Sequence, residues 1–167
     1  ILLQAIQVAD SIEEPSAKVE TLNDIADQYA GMQWSEKPAE ALRQALSEVP
    51  SIEEPTDKIE TLSKIASLYV ATRHHDKAVE VLAQALPIAR NIEEATSRSD
   101  SLAKIAHTYV EAKHYEQALG VSSAVEDDAD KAGILAEVAN EYVEAERYEL
   151  ALRLTDRIAD FGLRAGV

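Results

Sequence analysis

Apolar positions recur along most of the chain with a helical period. Leu62, Ile65, Ala66 and Tyr69 follow the i, i+3, i+4, i+7 spacing that lines one face of an α-helix. The same spacing recurs at Leu22, Ile25, Ala26 and Tyr29, at Leu102, Ile105, Ala106 and Tyr109, and at Leu135, Val138, Ala139 and Tyr142. A polar break and a second apolar run follow, as at Ala78, Val81, Leu82, Ala85 and Leu86. The pattern therefore predicts repeated pairs of antiparallel helices, which we name helix A and helix B.

The spacing of equivalent residues defines the repeat. Ile12, Ile52 and Ile92 lie 40 residues apart, and Val125 follows Ile92 after 33 residues. Seven residues make about two helical turns, so we expect a shorter helix B where the spacing is 33. The expected organisation is a single array over 1–167, whose two ends resemble cuts through a longer array. Its parts are the end of a preceding helix B (1–10), four units (11–50, 51–90, 91–124 and 125–157) and the start of a further unit (158–167).

An acidic segment precedes each helix A. It reads "SIEEP" at 11–15 and 51–55, and "NIEEA" at 91–95. Pro15 and Pro55 suit the first turn of a helix, where a missing N–H costs nothing. The spacing of a capping box, with its first member as N-cap, is present in the pairs Ser11/Glu14, Ser51/Glu54 and Asn91/Glu94. In the fourth copy Asp127 or Asp128 can take this role. We interpret the segment as helix capping; a recurring acidic contact strip is the alternative.

Composition and charge restrict the kinds of site and partner that this chain can have. The 167 residues contain no cysteine, which removes disulfides, thiolate zinc sites and cysteine nucleophiles. The formal charge of −15 disfavours binding to nucleic acid or to anionic membranes and favours a basic partner. The adjacent His74 and His75 lack the i, i+4 spacing that suits zinc on a helix. We expect a cytoplasmic protein that is not an enzyme, with no catalytic, cofactor-binding or metal-binding residues, no cofactor, no nucleic-acid partner and no membrane insertion.

The helix pairs resemble the tetratricopeptide repeat (TPR). That family's order of a bulky apolar residue, an apolar–small pair, an aromatic and a small residue is matched by Leu62, Ile65–Ala66, Tyr69 and Ala78. The first copy departs from the order at Pro38, and the 40-residue units exceed the family's length. The resemblance implies an all-α fold: a right-handed α-solenoid of stacked antiparallel helix pairs, with units of 40, 40 and 33 residues.

The resemblance also implies a protein–protein interaction scaffold whose A helices line a concave groove for a partner's peptide or helix. Alignment with the family places ten residues in this groove: Glu20, Asn23, Asp27, Glu60, Ser63, Ser67, Asp100, His107, Asn140 and Glu144. The matching places hold no Lys or Arg, so the carboxylate clamp of some family members is expected to be absent. A groove of this charge suits a basic peptide. The alternative is that these are only solvated helix positions.

Other interpretations stay open at this point. Trp34 lies in the least repeat-like stretch, where it either fills a gap or forms an exposed aromatic anchor for a partner. The chain can also be a regulatory or spacer segment of a larger protein, or a module that self-associates. Self-association would use the apolar stack ends at Ile1–Ile6 and near Phe161.

Overall fold

The computed structural model describes residues 2–30 and 36–165, with side chains at 4–30 and 38–160. The chain in these ranges forms α-helices and one short 3-10 helix, without a strand. The helices are α1 (Leu2–Ala9), α2 (Pro15–Ala30), α3 (Glu36–Glu48), the 3-10 helix Val49–Ser51, α4 (Pro55–Ala71), α5 (His75–Arg90), α6 (Ala95–Glu111), α7 (Tyr115–Ser122), α8 (Asp128–Glu144) and α9 (Tyr148–Ala165). The backbone packs as two compact units, Ile1–Ala89 and Arg90–Val167.

The helices alternate between the predicted A and B types. In the first unit α2 packs on α3 and on α4, and in the second unit α6 packs on α7 and α8 packs on α9. The predicted all-α repeat of helix pairs is therefore confirmed. Helix α5 has 16 residues and α7 has eight, which accounts for the change from 40-residue to 33-residue spacing. Helix α9 continues through Ile158, where we expected a further unit to start.

The apolar stripe of each A helix faces the core. Leu62, Ile65, Ala66 and Tyr69 are all buried on α4, as are their equivalents on α6 and α8. Helix α3 has a buried proline, Pro38, at the place where α5, α7 and α9 have a buried alanine. This proline is tolerated because it lies in the first turn of α3, where N–H groups have no intrahelical acceptor.

The acidic segments do cap the A helices, and Asp127 is the N-cap of α8 as expected, but the capping box predicted for the first three copies is wrong. The N-cap of α6 is Glu94, whose carboxylate accepts from the N–H groups of Thr96 and Ser97. The side-chain hydrogen bond of Ser97, followed by these backbone hydrogen bonds, lowers the pKa of Glu94 to about 2. Glu14 likewise accepts from the first-turn N–H groups of α2, whereas Glu54 caps α4 without a side-chain bond. A helix that begins at Pro15 has the preceding residue as its N-cap, which excludes the serine at position 11.

Helices α4, α6 and α8 end in a repeated turn. Arg73, Lys113 and Glu146 have φ values of 64°, 63° and 57°, in the left-handed region that favours glycine. After α4, the N–H of His74 donates to the carbonyl of Tyr69 at 2.8 Å, and that of Arg73 donates to Val70 at 2.8 Å. These two bonds define a Schellman motif, which satisfies carbonyls that the helix end leaves free. The equivalent bonds recur after α6 and α8.

A basic residue that the sequence analysis overlooked recurs in the second turn of the A helices. Arg98 of α6 donates to the carbonyl of Ile92 at 2.9 Å and to the carboxylate of Glu126 at 2.6 Å. In the first unit, Lys18 of α2 donates to Glu48 at 2.7 Å. The recurrence of Lys or Arg at positions 18, 58, 98 and 131 was the available sequence signal. Arg98 and Lys18 tie helix A to neighbouring segments of the same compact unit.

Candidate partner-binding surface

In the first unit, the facing sides of α2 and α4 line an open pocket of about 240 Å³. Three of the residues that the TPR resemblance placed in a groove meet there: Glu20, Asn23 and Glu60. The repeat explains their convergence, since Glu20 and Glu60 occupy the same register on adjacent A helices. The other lining residues are Ser16, Val19, Asp57, Thr61 and Lys64.

Burial divides this pocket into a floor and a rim. Val19 and Asn23 are each only 2% exposed, so they form the floor, while Glu20 and Glu60 are exposed at the rim. The side-chain oxygen Oδ1 of Asn23 is buried and has no hydrogen-bond partner among the described residues. A buried polar atom without a partner is uncommon in proteins and is costly in free energy.

Three carboxylates and one ammonium group surround the pocket. The carboxylates belong to Glu20, Asp57 and Glu60, and the ammonium group is that of Lys64. The Lys64 ammonium lies 3.6 Å from the carboxylate of Asp24 on α2, outside the pocket lining. The local charge is therefore negative, and it favours a cationic or hydrogen-bond-donating ligand.

The second unit has a corresponding pocket of about 450 Å³ between α6 and the start of α8. Asp100 lines it at the place of Glu20, and Asp130 lies at the place of Asp57. Glu126 and Asp127 add two further carboxylates. Their backbone N–H groups donate to the hydroxyl of Ser99, at 2.8 Å from Glu126 and 3.2 Å from Asp127. An acidic pocket thus occurs at the same register in both units.

The other predicted groove residues lie outside these two pockets. Ser63 is buried, and its hydroxyl has no partner among the described residues, whereas Ser67 is half-buried and Asp27 is exposed. His107 places Nδ1 2.8 Å from a carboxylate oxygen of Glu137 on α8, so this side chain already has a partner in the second unit. Asn140 and Glu144 are exposed on α8. Trp34, the candidate aromatic anchor, lies outside the described residues.

The alignment missed Asp57 and Asp130, which line the two pockets from the first turns of α4 and α8. We had interpreted the acidic segments before the A helices as capping, with a recurring acidic contact strip as the alternative, and neither interpretation included Asp57 or Asp130. Their shared place in the repeat was the signal that could have identified them, because the first turn of one A helix faces the preceding A helix.

Metal-binding groups and membrane-spanning helices are absent from the described residues. These residues contain no group of three His, Cys, Asp or Glu side chains that could hold a metal ion. His74 is half-buried, with Nδ1 3.1 Å from the hydroxyl of Thr72. No helix within the same part of the chain is long and apolar enough to cross a membrane.

Comparison with known proteins places the fold. No protein-family model matches the chain, and no curated protein matches it in sequence. Ton1535 from Thermococcus onnurineus NA1 aligns over 93% of this chain and 51% of its own, with a TM-score of 0.66 and 19% identity. A putative kinesin light chain from Podosopora anserina, with nearly identical TPR-like repeats, aligns over 98% of this chain and 85% of its own, with a TM-score of 0.62 and 16% identity.

A third structure, a Rap protein complexed with competence and sporulation factor, aligns over 97% of this chain and 47% of its own, with a TM-score of 0.53 and 20% identity. The chain thus spans about half the length of Ton1535 and of this Rap protein. At these identities the similarity defines the fold alone. The chain has a TPR-like helical-repeat fold, as the sequence resemblance implied.

Proposed function

We propose that this chain is a non-enzymatic interaction scaffold that binds a peptide or helix of a partner protein through the acidic faces of its A helices. The observation that carries the proposal is the acidic pocket between α2 and α4, where Glu20, Asn23 and Glu60 converge. The acidic pocket that contains Asp100, at the same register in the second unit, supports it. A Rap protein of the same fold class has been crystallised with competence and sporulation factor, so this fold is compatible with binding a partner.

A basic partner follows from the charge of the pockets. Carboxylates outnumber cations in both linings, and the whole chain carries a formal charge of −15. A peptide with Lys or Arg is attracted to such a surface, and its association weakens as salt screens the charges. Binding of this kind needs no cofactor, and we expect it to take place in the cytoplasm.

A pull-down from cell extract at low and moderate salt tests the proposal. The native chain is compared with a folded Glu20→Lys, Glu60→Lys, Asp100→Lys variant, and captured proteins are identified by mass spectrometry. A matched control, Glu53→Lys, Glu116→Lys, Asp156→Lys, makes the same change in charge at exposed positions outside both pockets.

We expect a salt-sensitive partner to bind the native chain and the control but not the pocket variant. The partner's purified binding segment should then reproduce this order of affinities. Equal capture by all three proteins would move the binding surface away from the A helices and would refute the proposal.

Self-association is a second candidate, favoured by apolar side chains on the last two helices. Val143, Tyr148 and Leu152 are 48%, 63% and 64% exposed. One repeat earlier, Val110 is buried and Tyr115 is half-buried. Sedimentation velocity at several concentrations tests this candidate. A concentration-dependent dimer that Leu152→Lys abolishes would support it, and a monomer at all concentrations would exclude it.

A third candidate is a regulatory or spacer segment of a larger protein. It is compatible with the alignment of this chain to about half of Ton1535. Deletion of residues 1–167 from a longer protein, with the activity of its other domains as the readout, tests this candidate. Unchanged activity would contradict a regulatory role.

A further inference from the structure

We propose that the pocket between α2 and α4 is a subsite for one cationic side chain of the partner, a lysine ammonium or an arginine guanidinium. This inference rests on the proposed function and names the group that the first unit recognises. It assigns distinct roles to two residues: Asn23 is the buried acceptor, and Glu20 is part of the anionic rim.

The shape of the pocket suits one extended side chain. The exposed rim leads to a floor of Val19 and Asn23, and the volume is about 240 Å³. Val19 offers apolar surface for the methylene groups of a long basic side chain, which commonly lie along such surface while the charged end finds polar partners.

The side chain of Asn23 distinguishes this pocket from an acidic surface alone. Its Oδ1 atom is buried without a partner, although the residue lines an open pocket. The terminal torsion of asparagine is soft and roughly two-fold, so a donor that enters the pocket can reach this oxygen after a small rotation. A buried acceptor without a partner is stabilised most by a charged donor, because hydrogen bonds to charged groups are stronger than those between neutral groups.

The charges around Asn23 define the sign of that donor. Glu20, Asp57 and Glu60 surround the pocket, against the single ammonium of Lys64. An anionic ligand would be repelled by the carboxylates, and a neutral apolar one would leave Oδ1 buried and unpaired. A cationic N–H donor satisfies both the acceptor and the charge.

The corresponding pocket of the second unit lacks the buried acceptor. Ala103 stands at the place of Asn23, and the hydroxyl of Ser99 at the floor already accepts two backbone N–H groups. The second pocket is therefore acidic without an unsatisfied acceptor. The chain thus contains its own comparison site, at which binding of the same ligand should be weaker.

Nuclear magnetic resonance titration tests this inference without a known partner. The isotope-labelled chain is titrated to millimolar concentrations with Nα-acetyl-lysine amide, Nα-acetyl-arginine amide and the neutral Nα-acetyl-norleucine amide. The side-chain amide signals of Asn23 are assigned by their loss in Asn23→Ala. Two further variants are titrated: Glu20→Gln, which alters only the rim, and Asn91→Ala, a control at an exposed asparagine that follows α5 and lies outside both pockets.

We expect saturable shifts at Asn23 and at the backbone of Glu20 and Glu60 with at least one cationic ligand, and none with the norleucine compound. Asn23→Ala should weaken this binding about tenfold, Glu20→Gln should weaken it measurably, and Asn91→Ala should leave it unchanged. If Asn23→Ala fails to fold, the titrations of the native chain and of Glu20→Gln decide the question.

Absence of saturable shifts with both cationic ligands, or equal shifts with the norleucine compound, would overturn the inference. That failure can be distinguished from failure of the proposed function. A partner that the charge-reversed chain loses in the pull-down would keep the scaffold proposal intact even if no single basic side chain binds this pocket.

Discussion

Replacing Tyr115 by phenylalanine removes one hydroxyl that joins helix α7 to helix α8. The hydroxyl of Tyr115 donates to a carboxylate oxygen of Glu141 at 2.6 Å. Its ring meets that of Tyr142 edge to face, with centroids 5.5 Å apart and an interplanar angle of 77°. Burial, and then the bond to Glu141, raise the pKa of the Tyr115 hydroxyl. Phenylalanine keeps the ring contact and loses only the hydrogen bond.

The expected cost follows from that single bond. A hydrogen bond to a charged group contributes about 1.5–3 kcal/mol, and partial exposure of both residues reduces this value. We therefore expect Tyr115→Phe to lower the free energy of unfolding by about 1–2 kcal/mol. Tyr148 occupies the same position in the next repeat and is 63% exposed. Tyr148→Phe should therefore change the free energy of unfolding by less than about 0.5 kcal/mol.

Urea unfolding, followed by the helical circular dichroism signal, measures both variants. A double-mutant cycle with Glu141→Gln should assign most of the Tyr115 effect to the pair. If Tyr115→Phe proves as neutral as Tyr148→Phe, or if the cycle shows no coupling, this hydrogen bond does not stabilise the docking of one repeat on the next.

Three further predictions concern the helix ends and the pocket. Lys113→Gly should raise the free energy of unfolding by about 0.5–1 kcal/mol, because glycine adopts its left-handed φ of 63° at lower cost; Lys113→Ala should show no such gain in the same urea experiment. The pKa of Glu94, lowered from 4.5 to about 2, means that its cap stabilises the fold above pH 4.5 and that this stability is lost as the pH falls towards 2. The free energy of unfolding, measured across this pH range, should depend less on pH in Glu94→Gln than in the native chain. Glu54→Gln should keep the native pH dependence, because Glu54 has no side-chain cap bond to lose. Asn23→Ala should leave the free energy of unfolding unchanged or raise it by up to about 1 kcal/mol, since the unpaired oxygen is removed. As a control, Leu22→Ala, one residue away, should lower it by about 2–5 kcal/mol. A loss above about 2 kcal/mol in Asn23→Ala would show that the carboxamide of Asn23 is structural.

The repeat and its helices could be predicted because one physical rule, the burial of one apolar helix face, determines where they lie. Leu62, Ile65 and Ala66 must share a helix face to be buried, so their spacing defines helix A wherever it recurs. The helix starts were harder to assign, since a serine three residues before a glutamate fits a capping box and also fits a glutamate N-cap. Pro15 decides in favour of Glu14, because a proline at the first helical position leaves the residue before it as the N-cap.

The candidate site could be predicted only in part. Alignment placed Glu20 and Glu60 at one register, and the structure brings both to one pocket with Asn23. The burial of the Asn23 oxygen without a partner depends on how α2 and α4 pack, which the residue pattern does not encode. The pairing of His107 with Glu137 likewise depends on the position of α8 beside α6.

Selection from a random peptide library displayed on phage tests the central claim most directly. The native chain, the Glu20→Lys, Glu60→Lys, Asp100→Lys variant and its charge-matched control are each used as bait at moderate salt. We expect the native chain and the control to enrich peptides rich in Lys and Arg, and the pocket variant to lose that enrichment. Selected peptides without a basic residue, or the same basic peptides from all three baits, would contradict partner binding through the acidic faces of the A helices.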